Sequence, residues 1–269
     1  MKNLKLIFYI LIFFVVQVNA QTNFQLVGKL DTECDYFAVD PLGNVYVIHG
    51  QNIQKFNNSL QKIADYSNVY LGNISFADVS DPLRIMLYYS EFNQVVWLDN
   101  FFQELRSPVR LDDLGIDQAI LLCSSNLGGF WIFDQLNNQL QYFDKNLKKI
   151  NESISLNPVT GEMKPLAMIE KNRMVYLYFP GQGILTFDQF GTYSRTLPVF
   201  PDNYFQVTDE SIYYLQDSSF KRYNLTTFKE EKLILPDTTA LQAVQIQSEY
   251  FYIKKKDGVF IYKSSLLYQ

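Results

Sequence analysis

The chain has 269 residues, with 23 basic and 28 acidic side chains and one histidine, a net charge of −5. Hydrophobic residues make up 48% and charged residues 19%, which supplies a sizeable core and excludes wholesale disorder. The acidic balance argues against nonspecific binding to nucleic acid or to an anionic membrane surface.

The first element in chain order is a targeting segment. Lys2 and Lys5 give a positive start, and Leu6 to Val16 is an unbroken apolar stretch. Val18-Asn19-Ala20 then offers small or permissive residues before a cut at Gln21. As a helix the apolar stretch would rise roughly 16 Å, about half the hydrocarbon thickness, so a cleaved signal peptide is expected over 1–20 rather than a membrane anchor. No later segment is apolar and long enough to span a bilayer, so the mature chain is not expected to be an integral membrane protein. Without residues 1–20 the count is 21 basic against 28 acidic, a net charge of −7. The expected location is exported and periplasmic, with association at the outer membrane.

The remaining 21–269 reads as one domain of short strands. The 22 Phe and 19 Tyr suit pleated, half-buried surfaces. Five segments share one pattern: a strand ending in an aromatic residue or Leu, then Asp or Asn, then a short turn and another strand. They are Ile53-Gln54-Lys55-Phe56-Asn57, Val95-Val96-Trp97-Leu98-Asp99, Leu140-Gln141-Tyr142-Phe143-Asp144, Ile184-Leu185-Thr186-Phe187-Asp188 and Phe220-Lys221-Arg222-Tyr223-Asn224. A sixth copy, Val259-Phe260-Ile261-Tyr262-Lys263, lacks the acid or amide. The steps of about 36–45 residues match the period of a four-stranded propeller blade. Asp or Asn at this place is turn chemistry, because a short polar side chain caps the backbone of a tight turn. The recurring acids are therefore read as structural.

Two further strand-like runs precede each marker, as in Tyr36 to Asp40 and Asn44 to Ile48 around the turn Pro41-Leu42-Gly43. After the sixth marker only Leu266-Leu267-Tyr268 remains before Gln269, so a last outer strand is missing, while Phe24 to Leu30 is a spare one. The expected fold is all-β: a six-bladed β-propeller of four-stranded blades, closed by the N-terminal strand completing the last blade.

The first unit, Asp40-Pro41-Leu42-Gly43-Asn44-Val45-Tyr46-Val47 followed by Ile53-Gln54-Lys55-Phe56, resembles the NHL-type six-bladed propeller repeat. That resemblance implies an interaction platform, with some relatives that are lyases or lactonases. The segment ending in Asn19-Ala20-Gln21, with a Tyr-, Asn- and Lys-rich body after it, is similar to exported proteins of the Bacteroidota.

Few residues offer chemistry. His49 is the sole histidine, which excludes multi-histidine metal sites, and beside Gly50 it reads as a loop residue. Cys34 and Cys123 form no Cys-x-x-Cys pair; they fall in the first and third repeats, too far apart to bridge, and are expected as two separate buried thiols. Gly128-Gly129 and Gly181-Gln182-Gly183 lack the helix that phosphate binding needs. Asp112, Asp113 and Asp117 cluster around Gly115, and Glu33 and Asp35 flank Cys34; solvated turns are the better reading than a calcium site. Lys254-Lys255-Lys256 reads as an exposed strand edge. No catalytic, cofactor-binding or metal residue is assigned, and no cofactor is expected. The expected function is a non-enzymatic scaffold or partner-binding subunit, accessory to an outer-membrane secretion or uptake machine, with a protein as partner. The alternative is a metal-dependent hydrolase or lactonase, which needs three or four acids and amides converging at one channel mouth. Phe92, Phe101, Phe190, Phe200 and Tyr204 are candidate surface aromatics. Trp97 and Trp131 sit inside strand patterns, which ranks sugar binding lower.

Overall fold

The computed structural model describes residues 24–264; the expected signal peptide lies outside them. The strands in chain order are β1 (Phe24–Leu30), β2 (Tyr36–Val39), β3 (Val45–His49), β4 (Asn52–Phe56), β5 (Lys62–Ser67), β6 (Phe76–Asp78), β7 (Ile85–Tyr89), β8 (Gln94–Leu98) and β9 (Val109–Arg110). They continue with β10 (Ala119–Ser124), β11 (Phe130–Asp134), β12 (Gln139–Phe143), β13 (Lys149–Glu152), β14 (Ala167–Lys171), β15 (Met174–Phe179), β16 (Gly183–Phe187) and β17 (Tyr193–Leu197). The last are β18 (Phe205–Val207), β19 (Ser211–Gln216), β20 (Ser219–Asn224), β21 (Glu230–Lys232), β22 (Ala243–Gln247), β23 (Tyr250–Lys255) and β24 (Gly258–Ser264). They form six antiparallel sheets of four strands each. Blades 1 to 5 are consecutive meanders beginning at β2, β6, β10, β14 and β18, and blade 6 is β22-β23-β24-β1. β1 runs antiparallel along β24 from Phe24 opposite Ser264 to Leu30 opposite Val259, so the first strand completes the last blade.

The apolar runs follow from the packing. A middle strand in a propeller is covered on both faces, so it has no polar side to show water. In β7 all five residues are buried: Ile85, Leu87 and Tyr89 pack towards blade 1, and Met86 and Tyr88 towards blade 3. Six buried clusters result, one at each junction between blades.

The marker residue does the turn work that its chemistry predicts. Oδ1 of Asp99 accepts from the backbone N–H of Phe101 and Gln103, at 2.8 and 2.9 Å. Asn57, Asp144, Asp188 and Asn224 each accept two backbone N–H groups in the same way. Each caps the hairpin from third to fourth strand. Blade 6 has no such hairpin, because its fourth strand arrives from the N-terminus; this is why Lys263 can stand at the sixth marker.

Side chains on the inner strands also tie neighbouring blades. Gln206 on β18 accepts from Ile246 N and donates to Ile246 O. Gln245 on β22 does the same for blade 1, accepting from Val39 N and donating to Phe37 O. Asp78 on β6 accepts from Ser124 N at 2.7 Å.

Two expectations are corrected. Lys255 is buried, not an exposed edge: it faces Asp237 in an ion pair and lies over the Phe260 ring. Only Cys123 is buried; Cys34 is half-buried, and both thiols are free. Burial pushes Cys34 up to about 11, which leaves it a poor nucleophile at neutral pH.

Candidate functional site

Antiparallel blades sort their connections onto two faces. The turns from first to second strand and from third to fourth strand lie on one face, called here the turn face. The turns from second to third strand and the links between blades lie on the other, the crossover face.

The crossover face holds the acids. His49 ends β3, with Nδ1 3.2 Å from Asp35 Oδ1 and Nε2 3.2 Å from Glu33 Oε2. Asp35 also accepts from Gly50 N at 2.7 Å, and this bond together with His49 holds its carboxyl below the usual range. Sequence reading paired Glu33 with Asp35 around Cys34 and took His49 apart; the link from β1 to β2 brings all three together. Asp112 is the first residue of a short 3-10 turn, accepts from Asn93 and Arg110, and is thereby held below the usual range. Asp113 and Asp117 are exposed on the same link. Among the described residues no three His, Cys, Asp or Glu side chains gather as a metal-binding set.

In the ring, Tyr204 leads into β18 of blade 5 and senses the charge of Asp78 on blade 2, the blade opposite. Burial first, and then the charge of Asp78, push its phenol up. Phe92, Phe101, Phe190 and Phe200 are exposed, whereas Trp97 and Trp131 are buried.

The turn face carries what sequence reading missed. Leu42, Leu83 and Leu127 tip the first-to-second-strand turns of blades 1, 2 and 3, and are 64%, 70% and 50% exposed. Phe101, 76% exposed, tips the neighbouring capped hairpin of blade 2. On blades 4 to 6 the equivalent turns carry Asn172-Arg173, Asp209-Glu210 and Ser248-Glu249. The first-to-second-strand turns are thus leucine-tipped over half the ring and polar-tipped over the other half, while Phe190 and Phe228 are exposed on the capped hairpins of blades 4 and 5. The signal was in the sequence, in Pro41-Leu42-Gly43, Pro82-Leu83 and Asn126-Leu127-Gly128, but only the blade alignment shows that the three leucines are equivalent.

These turns are held rigidly. Asp40 is fully buried and accepts from Leu42 N, Asn44 N, Asn44 Nδ2 and Tyr46 Oη. Asp81 accepts from Leu83 N, and Arg84 donates to Gly128 O of the next blade. Apolar tips on fixed turns present a preformed surface, which lowers the ordering cost of binding.

No protein family's sequence pattern matches the chain, and no curated protein matches by sequence. Solved structures do. Streptogramin B lyase aligns over 91% of this chain and 98% of its own, at 10% identity and a TM-score of 0.61. The Pan2 WD40 domain of Neurospora crassa covers 91% and 97%, at 8% identity and 0.65. BamB from Moraxella catarrhalis covers 87% and 83%, at 8% identity and 0.52. What the likeness shows is the propeller fold. One fold hosts lyases, WD40 domains and BamB alike, so function must come from the site.

Proposed function

We propose that the mature chain is an exported partner-binding subunit that works in the periplasm and docks a protein on its turn face. The carrying observation is the arc of exposed apolar tips, Leu42, Leu83, Leu127 and Phe101, at corresponding turns of adjacent blades. An isolated exposed Leu is ordinary, but exposed apolar tips repeated at corresponding rigid turns of adjacent blades point to an interaction surface. An outer-membrane machine for secretion or uptake is the first place to look for the partner.

The test is recovery of the tagged chain from its native cells, beside a variant with Leu42→Asp, Leu83→Asp and Leu127→Asp. A stoichiometric protein partner with the wild type, lost from the folded variant, supports the reading. Recovery of the wild type alone overturns it.

A lyase-like second reading has one observation in its favour. His49 is held by Asp35 at Nδ1 and by Glu33 at Nε2, an arrangement suited to proton transfer. A variant virginiamycin B lyase with histidine replaced by alanine is described as catalytically inactive. Among the described residues the metal-dependent hydrolase reading finds no converging acid set to support it.

A further inference from the structure

The turn face holds a second feature beside its leucines. Trp97 lies on β8 at the junction of blades 2 and 3 and is almost wholly buried. Two guanidinium groups lie against its ring: Arg84 at 5.3 Å and Arg106 at 5.9 Å from the centroid. Stacking on an aromatic face orients an arginine without neutralising it. Among the described residues neither has a carboxylate within ion-pair distance; Arg84 donates to Gly128 O and Arg106 to Lys145 O, both neutral carbonyls. Arg84 is disfavoured in its charged form first by burial and then by the neighbouring charge of Arg106. Lys145 and Lys148, exposed on the capped hairpin of blade 3, also make no ion pair among the described residues.

In a chain with five more acids than bases, four cations on neighbouring turns make no close ion pair among the described residues, although Asp81 lends Arg84 a favourable charge and Asp144 does so for Lys148. The nearby carboxylates are engaged elsewhere. Asp81, Asp99 and Asp144 each turn an oxygen onto backbone N–H groups of their own turns. The cations adjoin the apolar arc directly, since Arg84 follows Leu83 and bonds to Gly128, the residue after Leu127. Arg pairs readily with carboxylates in a two-pronged geometry, and Trp with Arg is the composition of interface hot spots.

Resting on the partner-binding reading above, we propose that the partner presents an acidic, apolar protein segment: apolar side chains seat between Leu83 and Leu127, and flanking carboxylates pair with Arg84, Arg106 and Lys145. Opposite charges at the rim set the choice of partner and the rate of encounter. A protein segment is favoured over an anionic bilayer because the chain as a whole is acidic and is repelled by an anionic surface.

The probe is a display library of short random peptides, selected on the immobilised mature chain. Enriched peptides are expected to combine Asp or Glu with Leu, Ile or Phe. A representative peptide should lose about tenfold in affinity, ~1.4 kcal/mol, for Lys145→Glu and again for Leu83→Asp. Both positions are exposed, so thermal unfolding should match the wild type and confirm folding. Enrichment of basic or uncharged peptides, or affinity unchanged in both variants, overturns the proposal. So does co-sedimentation with phosphatidylglycerol vesicles that the peptide competes away. If a native partner copurifies while the selected peptides are not acidic, the partner chemistry is wrong and the docking reading stands; if no partner copurifies, that reading falls first.

Discussion

At the scale of single residues, the capped hairpins show how one side chain serves both turn and packing. Three residues after the marker, Leu60, Phe102 and Leu147 take positive φ, at 60°, 65° and 66°. Left-handed backbone costs a residue with Cβ about 1 kcal/mol, so something must hold it there. Phe102 is buried in the junction with blade 1, its ring 6.1 Å from that of Tyr46. Leu60 and Leu147 likewise reach the junction with the preceding blade. In blade 4 the position is Gly191, where a Cβ would crowd the backbone of Glu152 and Ser153. Asp99→Ala should therefore lower stability by about 1 kcal/mol, the usual worth of a polar cap. Phe102→Ala should cost ~3–5 kcal/mol because it opens a cavity. Urea unfolding measures both, and equal losses would contradict this division of labour.

A second residue-scale prediction concerns pH. Lys255 holds the Asp237 carboxyl down to about 2, aided by the N–H of Thr239. A carboxyl depressed in the folded state adds stability above its unfolded value, near 4, and that share is lost as pH falls towards about 2. Asp237→Asn should flatten the decline of stability across that window. A decline as steep as the wild type's would show that the pair does not contribute.

Among elements, the ring closes through β1 and through the amide clamps. Gln245→Leu removes both hydrogen bonds of a blade 6 to blade 1 clamp and leaves Val39 N and Phe37 O unpaired, which should cost about 1–3 kcal/mol in urea unfolding. Deleting residues 21–30 should be worse, because it bares the edge of β24 and opens Leu30's place in the closing cluster. Size-exclusion chromatography should show aggregates; a folded monomer would mean that β1 is dispensable. These elements were legible because their physics is local. An alternating two-sided apolar run, an Asp or Asn before a turn and a spare strand at the start are all visible in order of sequence. The clamps, the His49 cluster and the burial of Lys255 were not. Each joins residues from different blades or links, as with Gln245 and Phe37, and depends on how the ring brings them together.

For the molecule as a whole, the two faces divide the chemistry. The crossover face gathers Glu33, Asp35, Asp112, Asp113 and Asp117 and also exposes Tyr70, Phe92 and Leu136, while the turn face presents its leucines with Arg106 and Lys145 beside them. Composition gave only the sum of these charges, which is why the acidic total concealed a basic corner. The repeat made the blades countable and left their decoration unread, since the leucines occupy loop tips where a fold imposes no apolar residue. The most direct test of docking on the turn face is site-specific photo-cross-linking in native cells, with the reactive group at Leu83 or, on the crossover face, at Asn52. The prediction is a discrete cross-linked protein from Leu83 and none from Asn52. A cross-link from Asn52 alone would contradict it.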